Sequence, residues 1–390
     1  MRVAIVSETY PPEVNGVALT VAALAHGLGA AGHSVQVIRP RQSKPQADLG
    51  VDDTVLVRGV GLPMYPGLLL GLPCTRRLRA LWKSGKTPDA IYIATEGLLG
   101  RSALRAARDL GIPACSGFHT RFDDFARYYG LGFIAPAVFA YLRRFHRRTA
   151  ATLVPTAQLK EFLDRERFGN VVLLRRAVDT TLFQPQRRDD GLRAQWGLQP
   201  DQLAVIHVGR IAAEKNIALA VRAFRAIQQD RPDARFICVG DGPARAALQQ
   251  KNPDFHFCGT QQGQALARHY ASADLFLFPS RTETFGNVTL EALASGVPIV
   301  AFDYAAAREH VDEECGRRVP LGNDEAFIHA ARELAAAPAL ASSMRDAART
   351  AVAALDPRSV TANFAALLAE LARPATAVAN SNTAFDGSTP

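Results

Sequence analysis

At 390 residues the chain is long for one domain, and two or three cores are expected. The five cysteines, Cys74, Cys115, Cys238, Cys258 and Cys315, form no C-x-x-C pair and no metal-ligand spacing, so they read as thiols of a reducing, cytoplasmic compartment. The formal charge of +8 is uneven: residues 1–190 carry 26 Lys and Arg against 16 Asp and Glu, and residues 191–390 carry 19 against 21, so an anionic partner should meet the first half. That basic excess has no aromatic interleaving and no nucleic-acid module, which argues against nucleic acid.

The chain opens on an apolar run, Val3–Val6, too short for a signal peptide. Further short runs follow at Val35–Ile38, Val55–Val57, Ile91–Ile93, Ala114–Gly117, Thr152–Val154 and Val171–Leu174, mostly separated by helix-length segments. Such alternation predicts an α/β fold with a mostly parallel sheet covered on both faces. After the first run, Gly16 opens a helix and lets its first amides approach an anion; no G-x-G-x-x-G accompanies it. The charge-free stretch Gly59–Thr75 is broken by Pro63, Pro66 and Pro73, so it reads as a loop and not as a membrane helix.

From Gly132 to Thr149 the pattern is apolar and then basic, with Arg143, Arg144, Arg147 and Arg148 forming a cationic stripe on a helix. A solvated helix end explains it; so does a surface for anionic lipid head groups, to which Leu68-Leu69-Leu70 in the earlier loop would add apolar contact. Between Asp179 and Gly197 the sequence turns polar, with Pro185, Arg187, Arg188, Asp189, Asp190 and Gly191, and the domain boundary belongs there, between a first domain at 1–186 and a second at 192–355. The second repeats the alternation, with strands at Leu203–Val208, Arg235–Val239, Phe255–Phe257, Leu275–Phe278 and Ile299–Phe302. A helical segment within 356–373 is expected to pack back on the first domain, and the patternless 374–390 to be disordered.

The chemistry concentrates in the second domain. Gly209-Arg210 ends its first strand and Lys215-Asn216 opens the next helix, joining fixed positive charge to free helix amides, which suits a diphosphate. Gly240-Asp241-Gly242-Pro243 is explained by turn chemistry alone. Between Pro279 and Val300 a strand, loop, helix, strand unit places Glu283 at a strand end and Glu291 in the following helix, where two carboxylates can accept bonds from vicinal hydroxyls. A solvated loop Glu and an ordinary helix Glu are the other reading.

In order and spacing, G-R-x-x-x-E-K-N, V-G-D-G-P and P-S-x-x-E-T-F-G-x-x-x-x-E-A-x-A-x-G-x-P resemble the retaining nucleotide-sugar glycosyltransferases of the GT-B "family four". T-Y-P-P-E-V-N-G-V-A, Phe118-His119-Thr120 and Leu182-Phe183 agree, and the branch they resemble holds bacterial lipid α-mannosyltransferases and sulfolipid synthases. The resemblance implies two facing Rossmann-like domains around a cleft. It implies that Arg210 and Lys215 hold the donor diphosphate, approached by Gly16; that Glu283 binds hydroxyls of the donor sugar and Glu291 the ribose, with Gly209, Phe285 and Gly286 also among the donor-binding residues; and that His119 stands beside the sugar. His119, Arg210, Lys215 and Glu283 are then the catalytic set. Two departures stand out: Arg176-Ala177-Val178-Asp179 in place of N-G-V-D, and Ala305-Ala306-Ala307 in place of a Gly-Gly loop.

No D-x-D triplet occurs, so neither a metal nor a cofactor is expected, and the cations would stabilise the leaving diphosphate. The resemblance favours front-face attack by an acceptor hydroxyl. GDP-mannose is the expected donor and a lipid or glycan the expected acceptor, at an anionic membrane on its cytoplasmic face. A UDP-sugar transferase, a sugar-nucleotide epimerase of the same architecture and a catalytically silent nucleotide-sugar binding protein are the alternatives.

Overall fold

The computed structural model describes residues 1–13, 15–42, 53–61, 69–119, 133 and 135–373. In the first half the strands are β1 (Arg2–Val6), β2 (Ser34–Pro40), β3 (Asp53–Val57), β4 (Gly59–Gly61), β5 (Leu69–Gly71), β6 (Ala90–Ile93), β7 (Ala114–Gly117), β8 (Ala151–Val154) and β9 (Val171–Leu173). The second half has β10 (Ala204–Val208), β11 (Arg235–Val239), β12 (His256–Gly259), β13 (Leu275–Phe278), β14 (Ile299–Phe302) and β15 (Gly316–Val319). They form a seven-stranded sheet ordered β3-β2-β1-β6-β7-β8-β9 and a six-stranded sheet ordered β12-β11-β10-β13-β14-β15, with parallel pairing throughout both. Strands such as β6 and β10 are buried along their whole length, as helices on both faces require of a parallel sheet.

The strand order reverses at β1 in the first sheet and at β10 in the second. Loops at the carboxyl ends of such central strands open the crevice in which ligands of α/β sheets bind. The loop after β1 leads to the helix Gly16–Ala30, and the loop after β10 carries Arg210 and Lys215.

The helix Pro357–Ala372 belongs in sequence to the second half but packs on the first. Its Val360, Phe364 and Leu368 join the core around Val3, Ile5 and Tyr92. Gly27 lies under it so closely that a Cβ there would sit 2.2 Å from Thr361 Oγ1. The chain crosses between the halves at Val178, whose amide donates to the Leu355 carbonyl at 2.9 Å.

Four expectations are changed. Gly59–Thr75 is not a simple loop: its ends pair as the antiparallel hairpin β4–β5, and a helix starts at Thr75, while residues 62–68 lie outside the described residues. The polar stretch after Pro185 is packed on the second sheet. Asp189 caps the short helix Asp190–Gln195, and Arg193, 1% exposed, pairs with Asp274 at 2.9 Å and donates to the Ser272 carbonyl at 2.8 Å. β15 was not expected because an edge strand reading Gly-Arg-Arg-Val, with Arg318 exposed and Arg317 paired to Glu333, shows no apolar run. The arginine stripe is only partly helical, since the helix Ala135–His146 ends before Arg147 and Arg148. The segment 374–390 lies outside the described residues. Cys115, Cys238 and Cys315 are buried free thiols, while Cys74 and Cys258 are half-buried. Among the described residues no helix is long and apolar enough to cross a membrane.

Candidate active site

On the second sheet the site begins where β10 ends. Gly209 adopts φ 147, a 3-10 turn spans Ala213–Lys215, and Asn216 takes the left-handed φ 51 that an Asn side chain tolerates. Asn216 Nδ2 donates to the Pro279 carbonyl at 3.3 Å, tying this loop to the one after β13. Lys215 Nζ makes an ion pair with Glu283 Oε1, the two side chains being 23% and 12% exposed. Arg210 Nη1 lies 3.4 Å from Glu214 Oε1. The two cations assigned to a diphosphate therefore share one rim, each beside a carboxylate.

The Gly240–Pro243 turn does more than reverse the chain. A Cβ on Gly240 would lie 1.9 Å from the Gly209 carbonyl oxygen, and one on Gly242 would lie 2.4 Å from that of Ile211. The Ile211 amide donates to the Asp241 carbonyl at 2.9 Å, and the Ala244 amide to that of Ile211 at 3.1 Å. This turn is the backstop of the Arg210 loop, and its glycines answer to contacts some thirty residues away in sequence.

At Gly286 the backbone takes φ 92, the left-handed region that favours glycine, and the helix Asn287–Ala294 follows. Glu291 lies in that helix and accepts a hydrogen bond from the buried Tyr270 hydroxyl at 3.1 Å. Burial pushes the Glu291 carboxyl up to about 7, the Tyr270 bond opposing the rise. Phe285, expected among the donor-binding residues, has its side chain inside the domain. Its ring is 4% exposed within the second core, and its carbonyl accepts the Ala306 amide at 2.9 Å, so it anchors the loop from behind. Ala305, in the alanine triplet, holds φ 50, where a glycine would be unstrained.

From the first sheet, Gly16 starts a helix capped by Asn15 Oδ1, which accepts the Ala18 amide at 2.9 Å. A Cβ on Gly16 would stand 3.7 Å from Asn287 Nδ2, and that nitrogen lies 3.5 Å from Thr20 Oγ1. The starts of the two helices face each other across the cleft, converging two sets of amino-terminal dipoles. His119, just beyond β7, is hydrogen-bonded through Nε2 to the Tyr92 hydroxyl at 2.6 Å and through Nδ1 to the Arg176 guanidinium. Burial, then the charge of Arg176 and the nearby His146, hold its pKa well below the ordinary imidazole range. The structure thus joins Lys215 to Glu283 and Gly16 to Asn287, and it ties His119 to Tyr92 and Arg176. Tyr92, Tyr270 and Asn287 were missed because nothing in their local sequence marks them; Arg176 was visible only as a motif departure.

Comparison with known proteins bears on both halves. Residues 14–182 match the family described as Glycosyltransferase Family 4, and residues 202–337 match Glycosyl transferases group 1. A GDP-mannose-dependent alpha-mannosyltransferase of Mycolicibacterium smegmatis is 40% identical over 318 residues, which span 80% of this chain and 82% of that protein. The chain belongs to glycosyltransferase family 4. An alpha-monoglucosyldiacylglycerol synthase of Acholeplasma laidlawii is 30% identical to this glycosyltransferase, over 77% of this chain and 80% of its own. Sucrose-phosphate synthase of Thermosynechococcus elongatus has the same fold, with a TM-score of 0.79 at 21% identity and coverage of 95% and 98% of the two chains. In this family 4 glycosyltransferase the expected GT-B architecture of two parallel-sheet Rossmann-like domains is what the structure shows.

Proposed function

We propose that this glycosyltransferase moves mannose from GDP-mannose, with retention and without a metal, to a hydroxyl of a lipid or glycolipid at the cytoplasmic face of an anionic membrane. The observation that carries the reading is the rim shared by Arg210 and Lys215, opposed by the two facing helix starts. Fixed cations and helix dipoles pre-arranged around a leaving diphosphate stabilise the charge that develops as the sugar C1–O bond breaks. Glu283 would exchange part of its bond with Lys215 for hydroxyls of the sugar, and Glu291 would accept from the ribose diol. The acceptor hydroxyl would attack C1 from the face the diphosphate leaves, passing its proton to a departing phosphate oxygen. Similarity to mannosyl- and glycolipid-forming relatives supports the choice of donor and acceptor.

A thermal-shift panel of GDP- and UDP-sugars tests the donor; a larger rise with UDP-glucose than with GDP-mannose would displace mannose. Acceptor-dependent release of GDP, with the product anomer read by NMR, tests transfer and retention. Donor consumption without any acceptor would favour an epimerase.

The Glu291 assignment carries a pH dependence. A carboxylate accepts both ribose hydroxyls and a protonated carboxyl does not, so donor affinity is expected to rise as pH increases through about 7. Glu291→Gln should flatten that rise in isothermal titration between pH 6 and 8. A rise that persists unchanged in the variant would take Glu291 out of the donor site.

For the membrane, Arg144, Arg147 and Arg148 are exposed beside the exposed Tyr141. Replacing Arg143, Arg144, Arg147 and Arg148 with Ser should weaken salt-sensitive sedimentation with anionic liposomes, by roughly 1 kcal/mol per charge at the surface. Undiminished sedimentation would remove this surface.

A further inference from the structure

The segment Leu174–Val178 hands the chain from one core to the other: Leu174 and Ala177 pack on the core around β1, while Val178 packs on the core around β10. Arg176 lies between them, 9% exposed, and turns its guanidinium onto His119 Nδ1. Its Nε is buried with no hydrogen-bond partner. A guanidinium has donors only, so the Nδ1 facing it must carry the lone pair. The proton of the neutral ring is then on Nε2, pointing at the Tyr92 hydroxyl oxygen 2.6 Å away. The ring can reach this place because residue 117 is glycine; a Cβ there would lie 2.4 Å from both His119 Nε2 and Tyr92 Oη. Tyr92 is itself held edge-on against Phe364 of the returning helix, with ring centroids 5.1 Å apart.

We infer that Arg176 is a positioning residue that locks His119 as the neutral Nε2–H tautomer, so that the imidazole stands beside the donor sugar with its one lone pair engaged by the guanidinium and does not act as a base. The inference rests on the proposed place of His119 beside the sugar and deepens it. Among the described residues, the groups facing the ring are Tyr92 from β6, Arg176 from the segment Leu174–Val178 and His146 from the end of the helix Ala135–His146. Glu96 and Cys115 bear on Tyr92 behind it. Arg176, although burial lowers it to about 10, stays charged at neutral pH and opposes a second positive charge on the ring.

Nitrogen NMR of the ¹⁵N-histidine-labelled full chain reads the tautomer directly, the His119 signals being identified by their loss in His119→Gln. The expected result is a protonated Nε2, an unprotonated Nδ1 and no titration between pH 5.5 and 8. Arg176→Met should give mixed tautomers and a loss of about tenfold in kcat at pH 7, the scale of one hydrogen bond. Arg176→Lys should restore the unprotonated Nδ1. Tyr92→Phe, a second variant should Arg176→Met fail to fold, should keep the tautomer, because Arg176 sets it. A protonated Nδ1 in the parent protein, an unchanged tautomer in Arg176→Met, or a tautomer lost in Tyr92→Phe overturns the inference. Failure of the underlying reading shows differently: His119→Ala would then turn over normally while the tautomer of the parent protein stayed as described.

Discussion

Lys215→Ala is expected to lower sugar transfer by about 10²- to 10³-fold while leaving a folded protein, the range seen when one pre-arranged transition-state donor is removed. Lys215 is largely withdrawn from water, at 23% side-chain exposure, and it is the cation that links the β10 loop to Glu283 on the β13 loop. Arg210 remains in the variant, but it is beside Glu214 and its charge is partly offset. Two losses therefore coincide: the leaving diphosphate loses a fixed charge, and Glu283 loses the partner that aims it. Glu283, 12% exposed, is left without its counter-charge, so a drop in melting temperature is expected beside the loss of rate and is measured with it. Single-turnover rates at saturating donor separate the two effects, since a loss of binding alone would be recovered at high donor. Glu283→Gln should retain more activity than Lys215→Ala, because the amide can still accept a sugar hydroxyl. Turnover of Lys215→Ala within threefold of the parent, in a folded variant, would remove Lys215 from the reaction.

The second large effect is structural. Gly240→Ala places a methyl group 1.9 Å from the Gly209 carbonyl oxygen, a backbone atom with no rotamer through which to retreat, at a φ of 136 that a Cβ disfavours. A loss of about 2–4 kcal/mol in the second domain is expected, as for other substitutions that force backbone apart in a packed site. Relief would come by shifting the Gly209–Arg210 loop, so donor affinity should fall along with the melting temperature. Gly263→Ala is the control: it too has positive φ, at 52, but open space where its Cβ would go. If Gly240→Ala melts no lower than Gly263→Ala, close approach is not what residue 240 provides.

Much of this was legible in one dimension. β1 after Arg2 and β13 are continuous apolar runs, because a parallel sheet covered on both faces has no polar side to show, and β10 is broken only by the buried His207. The Lys215 and Glu283 positions could be read from loops that must follow strand ends. Elements with little local signal were lost: β15 has arginines at its two middle positions, and the residues after Pro185 read only as a domain boundary because their polar groups find partners, Asp274 and Ser272, about 80 residues away.

The sequence by itself determined the two α/β series, the cationic loop after β10 and the membership of glycosyltransferase family 4, because hydrophobic periodicity and motif spacing are properties of short segments. Only the tertiary structure decided which residues serve those motifs. Gly240 is required by Gly209, Phe285 is a core anchor, Tyr270 holds Glu291, and Arg176 with Tyr92 holds His119. The physical reason is the same in each case: a close contact or a hydrogen bond depends on atoms meeting within about 3 Å, and chain distance between the partners carries no information about that meeting.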